Sequence, residues 1–461
     1  MSLWFDVDDL IRYFATSARP TGIQRLSFEL FRQLSRSASP AGPIMFCRRL
    51  ASPPYFRRVD FSALEVRVTV QMQAPAAAPA LPPPAEQRRT GWLGGHARRL
   101  PYRTRRSLQM IIHALRTIKW ALVDLAQAAT SRRHGLHGVD QFDTGAPVTF
   151  TSGDWLVNLG SSWNLPYESA ALKALHGQGA HLAVLVCDLI PQLFPEWSTH
   201  ETLQEFRLWL HQTLPRADML LAISHNTAAD LAHDLTPRCH VLPQIGIFPM
   251  GCLSPPNANA SPAPARPFVL LVATLEVRKN HALMFRVWQR LLAQYGASAV
   301  PDLVFAGKRG WLIDDFLTQM QNAAWLDGKI RFVESPSDSE LALLYQQCLF
   351  TVYPSLYEGW GLPVTESLSF GKTVAASNRA SIPEAGGDFC VYFDPENIAQ
   401  AEKVIAGLIM QPARVAALEA HIAANFQPPH WAESAAALIK LLTHDAQAAA
   451  LASQPAIDVA A

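Results

Sequence analysis

No C-x-x-C pair and no close cysteine cluster occurs in this chain of 461 residues. The six cysteines, Cys47, Cys187, Cys239, Cys252, Cys348 and Cys390, are scattered. That pattern argues against a disulfide framework or a zinc site and for free thiols in a reducing compartment. No secretory leader is expected, because MSLWFDVDDL has acids where a signal peptide has a basic start and an apolar run. No uncharged apolar stretch of about 18 residues exists, so no membrane span is expected and the expected address is the cytoplasm. Charge of one sign is nearly balanced, at a formal net +1, which excludes a chain devoted as a whole to nucleic acid. Neither G-x-x-x-x-G-K-S/T nor G-x-G-x-x-G is present, so the commonest phosphate and dinucleotide fingerprints are excluded. The fifteen histidines form no metal-type pair. Asp6-Val7-Asp8 does make a D-x-D, but on the N-terminal strand, and no metal requirement is implied.

What remains is ample apolar material, 49% of residues against 17% charged, in a chain long enough for two large domains. Strands are expected at residues 3–7 and 44–50, with the helix QRLSFELFRQL between them. A Pro/Ala tract at 73–87 reads as an extended, solvated linker. Residues 88–134 hold eleven Lys/Arg and one acid, leaving 28 bases and 37 acids elsewhere. Within them Leu108, Ile111, Ile112, Leu115, Ile118 and Leu122 repeat at helical spacing. Such a basic amphipathic helix either lies on an anionic membrane surface or packs on the protein as an insertion.

From residue 148 the rhythm becomes regular. VTFTSGDWLVNLG, HLAVLVCDLI, DMLLAIS and RCHVLP are expected as strands alternating with helices. GCLSPPNANASPAPARP then breaks the periodicity, and the same rhythm resumes after it in PFVLLVATL, DLVFAGKRG, KIRFVES, CLFTVYPS and KTVAAS. HALMFRVWQRLLAQY and WAESAAALIKLL are expected helices, and an Ala-rich tail at 447–461 is expected to fray. The expected layout is α/β. A first domain spans 1–250 with an insertion at about 73–135, a linker spans 251–267, and a second domain spans 268–425. A C-terminal helix at 426–446 and the tail complete the chain. Two doubly wound units direct their strand C-terminal ends toward a shared crevice, where ligands bind.

The chemistry concentrates in YPSLYEGWGLPVTE, residues 353–366. Glu358 and Glu366 stand eight residues apart, with Gly359, Gly361 and Pro363 between them. The glycines let backbone N–H groups approach a ligand, and a helix starting near Pro363 aims its positive end at an anion. Carboxylates accept from vicinal hydroxyls, so one glutamate suits a sugar and the other a ribose. A glycine turn followed by a dipole-favoured carboxylate is the plain alternative.

This segment resembles the signature of the family 4 retaining glycosyltransferases. The resemblance extends to VATLEVRKNH at 272–281, FAGKRGW at 305–311 and FGKTVAASNRASIPEAGGD at 370–388, in the family's order. It implies a GT-B fold, two Rossmann-like domains facing across a cleft. It assigns the ribose to Glu366, and the donor sugar to Glu358 and the backbone of Gly359, Trp360, Gly361 and Leu362. It places Arg278 and Lys279 on the donor diphosphate. The family's further arginine after this strand is replaced by Ala273 and Thr274, and Arg309 is a candidate substitute. Upstream, PTGIQR resembles the glycine loop that brings Gly22 near phosphate or acceptor. VCDLIPQLFPEW resembles the HD-x-x-P segment, with Cys187 in place of His and Asp188 kept. Asp188 then either faces the reacting sugar or caps a turn, and Ser224 in LAISHNTAADL either contacts substrate or starts a helix. The catalytic candidates are Glu358, Lys279 and Asp188. The implied reaction is retaining sugar transfer from a nucleotide diphosphate, GDP-mannose first, to a glycan or lipid-linked glycan of bacterial surface polysaccharide. No metal or other cofactor is expected. The competing readings are a catalytically silent GT-B scaffold and a sugar-nucleotide epimerase.

Overall fold

The structure, a computed structural model, describes residues 1–17, 22–40, 42–50, 53–73, 143–164, 167, 169–252, 264 and 266–452. The Pro/Ala tract beyond residue 73, the basic segment 88–134, most of the linker at 251–267 and the end of the tail lie outside them, as do Pro20 and Thr21.

The first domain is built on strands β1 (Leu3–Asp6), β2 (Ile44–Arg49), β3 (Phe56–Val59), β4 (Asp143–Pro147), β5 (Trp155–Asn158), β6 (His181–Val186), β7 (Met219–Ala222) and β8 (Gln244–Ile247). They lie in the order β4-β3-β2-β1-β5-β6-β7-β8. Pairing is parallel from β2 to β8, whereas β3 is antiparallel to both β2 and β4. The sheet is therefore mixed. The connection from β2 to β3 is too short for a parallel crossover, which needs a dozen or more residues. Residues 74–142 separate the helix Phe61–Gln73 from β4.

Side-chain alternation explains the doubly covered sheet. In β6, Ala183 and Leu185 join one buried cluster while Leu182, Val184 and Val186 join the opposite one. Two expected strands are corrected. VTFTSGDWLVNLG turns at Gly153, with φ +83°, and only Trp155–Asn158 is extended in the sheet. RCHVLP is not a strand, because Val241 and Leu242 are exposed, and the residues that pair with β7 are those of β8.

The second domain is wholly parallel: β9 (Phe268–Val272), β10 (Asp302–Gly307), β11 (Ile330–Glu334), β12 (Thr351–Tyr353), β13 (Val374–Ser377) and β14 (Cys390–Phe393), in the order β11-β10-β9-β12-β13-β14. Val269 and Leu271 of β9 face one cluster, and Phe268 and Leu270 the other.

The last helix, Trp431–Ala452, returns to the first domain. Trp431, Ala435, Leu438, Ile439 and Leu442 form its apolar stripe and enter the same buried cluster as Phe31 and Leu34. The helix continues past residue 446, so residues 447–452 are helical where fraying is expected from composition. Among the described residues no helix is long and apolar enough to cross a membrane.

Candidate functional site

Behind β9 the chain makes a single 3₁₀ turn, Val277–Lys279, and then Asn280 adopts left-handed φ/ψ of 58° and 38°. Asn tolerates that conformation better than most residues. The turn sends Arg278 and Lys279 back over the strand ends before the helix His281–Tyr295 begins. Beyond β12 the loop carrying Glu358 rises to meet them. The Arg278 guanidinium donates to Glu358 Oε2 at 2.6 Å and to the Tyr357 carbonyl at 3.2 Å, and its other amino group pairs with Glu276 at 2.9 Å. Lys279 Nζ donates to Glu358 Oε1 and, at 3.1 Å, to the Tyr353 hydroxyl.

Burial alone would push the Glu358 carboxyl up, but Arg278 and Lys279 outweigh it and hold the group at about 2. Lys279 is lowered, first by burial and then by Arg278. Because Glu358 is depressed from its ordinary 4.5, its ion pairs stabilise the fold fully above about 4.5, and that contribution fades as pH falls toward 2.

The loop backbone is pinned from below. Ser381 Oγ bonds to the carbonyls of Glu358 and Trp360, each at 2.8 Å. Gly361 stands at φ +132° and ψ 50° as the helix Leu362–Ser369 starts, a conformation open to glycine. Gly359 is required for a different reason. A Cβ there would lie 2.0 Å from the Cys187 carbonyl oxygen and 3.1 Å from Asp188 Cβ, both in the first domain.

The loop is thus also the contact between domains. Trp360 and Leu362 pack on the first domain's core, and the Tyr357 hydroxyl donates to Asp230 at 2.6 Å. Glu384, in IPEAGG, accepts the backbone N–H groups of His225 and Asn226 at 2.8 Å each, a carboxylate of one domain on a helix N-terminus of the other.

Glu366 heads a second group. The Tyr345 hydroxyl donates to its Oε2 at 3.0 Å, and Tyr345 stacks on Phe370. Burial raises the Glu366 carboxyl, opposed by Arg25, which crosses from the first domain to pair with Asp338. Arg25 lies on the helix Gly22–Leu34, three residues after Gly22.

The structure therefore gathers Arg278, Lys279, Glu358, Gly359 and Asp188 at one place and puts Glu366 with Arg25, Tyr345 and Asp338 at another. Asp188 sits past β6, where its Oδ1 accepts from the Ile190 N–H at 3.0 Å, as in a turn cap. It nevertheless shares the field of Arg278 and Glu358; burial raises its carboxyl and Arg278 opposes the rise. The turn-cap reading of Asp188 is met. Ser224 starts a helix. It is buried, and its hydroxyl accepts from Thr227 N–H at 3.0 Å as the N-cap of His225–Leu235. Gly22 opens its helix with free space around it, so nothing there demands glycine by contact. Arg309 turns away to Glu334 at 3.1 Å and does not join Arg278.

Reading the sequence missed Arg25, Tyr345, Tyr353, Ser381 and Glu384. Arg25 and Glu384 stand inside quoted motifs, but only the fold shows them crossing between domains. Tyr353 and Ser381 also stand inside quoted motifs, whereas Tyr345 stands in none.

His281, the last residue of RKNH, is buried edge-on to Phe305, and neither ring nitrogen has a hydrogen-bond partner among the described residues. Burial and then Lys279 lower it to about 3 from 6.5, so it is neutral in the fold. As pH falls below about 6.5 the unfolded chain takes up a proton that the folded chain refuses, and stability is lost progressively toward 3. His281→Leu is expected to flatten this loss, read as melting temperature from pH 7 to 4.

The two sheets give the chain a GT-B fold, and residues 257–425 match the family model of the glycosyl transferases group 1. A trehalose-phosphate synthase from Burkholderia xenovorans shares the fold, with a TM-score of 0.50 at 14% identity over 68% of this chain and 78% of that one. Among curated proteins the chain is similar to bacterial polysaccharide mannosyltransferases. O-antigen chain mannosyltransferase B of Escherichia coli is 30% identical over 53% of this chain, and serotype-specific mannosyltransferase WbdA of Escherichia coli is 26% identical over 68%. The chain spans 60% of the length of the first relative and 40% of the second.

Proposed function

We propose that the chain is a retaining glycosyltransferase of family 4 type. It moves a sugar from a nucleotide diphosphate, GDP-mannose first, to a glycan or lipid-linked glycan of bacterial surface polysaccharide at the cytoplasmic side of the membrane. The observation that carries this reading is Glu358 bonded to both Arg278 and Lys279 on a glycine loop where the two domains meet. The mannosyltransferase names of the relatives support the donor choice.

In this reading the two cations meet the diphosphate, where negative charge builds as the glycosidic C–O bond breaks. Each such donor is worth about 3 kcal/mol in the transition state. Glu358 holds the sugar hydroxyls and Glu366 the ribose. The acceptor hydroxyl attacks from the face the phosphate leaves; its oxygen bonds to the anomeric carbon, and its proton passes to a phosphate oxygen of the departing nucleotide. Asp188 stands beside the reacting sugar.

A melting screen across nucleoside diphosphates and sugar nucleotides tests the reading, because a ligand at 100 times its Kd adds about 2.7 kcal/mol. GDP and GDP-mannose are expected to give the largest shifts, and the product is expected to keep the donor's anomeric configuration by NMR. No shift with any nucleotide would favour a silent scaffold. With cations and helix N-termini on the phosphates, activity is expected to persist in excess EDTA. Loss of activity, restored by magnesium or manganese, would overturn this phosphate site.

The basic segment 88–134 belongs to the same proposal as a peripheral membrane contact. Each Lys or Arg near an anionic surface contributes about 1 kcal/mol. Deleting the segment is expected to abolish sedimentation with phosphatidylserine vesicles while sparing turnover of a soluble acceptor.

A further inference from the structure

One surface at the cleft is used by none of the roles above. Phe194 and Trp197 of the first domain stack at 4.2 Å between ring centroids with planes 14° apart, and Phe194 lies 5.0 Å from Tyr357 of the second. Trp311 reaches across from FAGKRGW, its Nε1 donating to the Trp197 carbonyl at 2.7 Å, yet 45% of the residue stays exposed. Leu312 beside it is 53% exposed, and Val277, the neighbour of Arg278, is 41% exposed.

Large apolar side chains shared by two domains and left open at a cleft mark a binding surface more often than a lapse in packing. This one is continuous with the candidate site: Tyr357 immediately precedes Glu358, and its carbonyl accepts from Arg278 at 3.2 Å. Its chemistry is mixed. Rings stand beside hydrogen-bonding groups, since Gln192 accepts from Arg207 nearby, Glu196 is exposed, and Asn226 and Asp230 hold the Tyr357 hydroxyl. A lipid surface favours an unbroken apolar face. A saccharide presents C–H faces to rings and hydroxyls to polar groups between them.

We propose that this aromatic rim binds the acceptor as a chain, gripping sugar units beyond the one that receives the new residue, so that oligosaccharides are preferred over single sugars. The inference rests on the transferase reading and narrows its acceptor to an already extended glycan. Trp311 is its clearest test, being exposed and outside the Glu358 and Glu366 groups.

Calorimetry with mannotetraose and with methyl mannoside, each in the presence of GDP, reads the rim without requiring turnover. The tetrasaccharide is expected to bind at least about tenfold tighter than the monosaccharide, and Trp311→Ala to remove that difference. Trp311→Phe, which keeps a ring and loses the N–H, is expected to retain most of it. Steady-state rates with GDP-mannose should show the same pattern in KM, with kcat for methyl mannoside and donor hydrolysis unchanged.

Equal affinity for the two saccharides would overturn the proposal. So would Trp311→Phe acting like Trp311→Ala, which would make Trp311 a clasp between domains. Loss of vesicle binding with unchanged saccharide affinity would reassign the rim to membrane. Failure of GDP-mannose to bind or be hydrolysed by the unaltered protein would count against the donor reading instead, and leave the saccharide measurement to stand by itself.

Discussion

Glu358→Ala is expected to lower turnover at least ~100-fold while leaving affinity for the nucleoside diphosphate unchanged or raised. In the proposed reaction the carboxylate serves the sugar, whose ring changes shape and charge as the bond breaks. It is also the negative partner of Arg278 and Lys279. Removing it costs transition-state stabilisation and at the same time frees two cations for the diphosphate. The variant should melt lower, because a buried cation without its partner is costly, and Glu358→Gln keeps the shape as a control. Glu366→Ala should behave oppositely. On the proposed reading it removes ribose hydroxyl contacts common to ground and transition states, so product and donor should both bind more weakly. Calorimetry with GDP beside steady-state rates separates the two variants. Near-normal turnover in Glu358→Ala would remove this loop from the chemistry.

Gly359→Ala is expected to be as damaging, through position alone. The added methyl meets the Cys187 carbonyl oxygen at 2.0 Å and its carbon at 2.9 Å, which are backbone atoms that cannot rotate away. Relief requires the loop to withdraw from the first domain, taking Glu358 with it and loosening Trp360, Leu362 and the Tyr357–Asp230 bond. A misplacement of about 1 Å is enough to cost ~100-fold in rate. Each domain keeps its own core, so circular dichroism should be little changed while kcat falls. Unaltered kinetics would mean that the domains do not meet here during catalysis.

Much of the second domain was legible before the structure. Its strands are short apolar runs between helices, both faces of the sheet are covered, and composition marks every strand but β14. The helix His281–Tyr295 matches its expected span because an amphipathic run ends at Gly296. The first domain was less legible. RCHVLP looks like a strand by residue type, but Val241 and Leu242 point to solvent, and pairing with β7 is decided by register, which composition does not carry. The antiparallel edge of β3 and β4 was not foreseen, since a long insertion hides that they are neighbours.

The site divides along the same line. YPSLYEGWGLPVTE and RKNH announce acids, cations and glycines at spacings that suit a phosphate and a sugar, and local geometry then follows from backbone chemistry. Gly361 takes a conformation that favours glycine, Asn280 takes the left-handed one, and the helix begins at Leu362 beside Pro363. These features the sequence determined by itself, because each depends on residues a few positions apart. Only the tertiary structure decided that Gly359 touches Cys187, that Arg25 crosses to Asp338 near Glu366, that Ser224 is spent as a cap, and that Trp311 meets Trp197. Those contacts join residues more than a hundred positions apart, or turn on whether a hydroxyl finds a nearer N–H. The long-range ones are set by how the two domains pack, a free energy shared over both cores and written in no single segment.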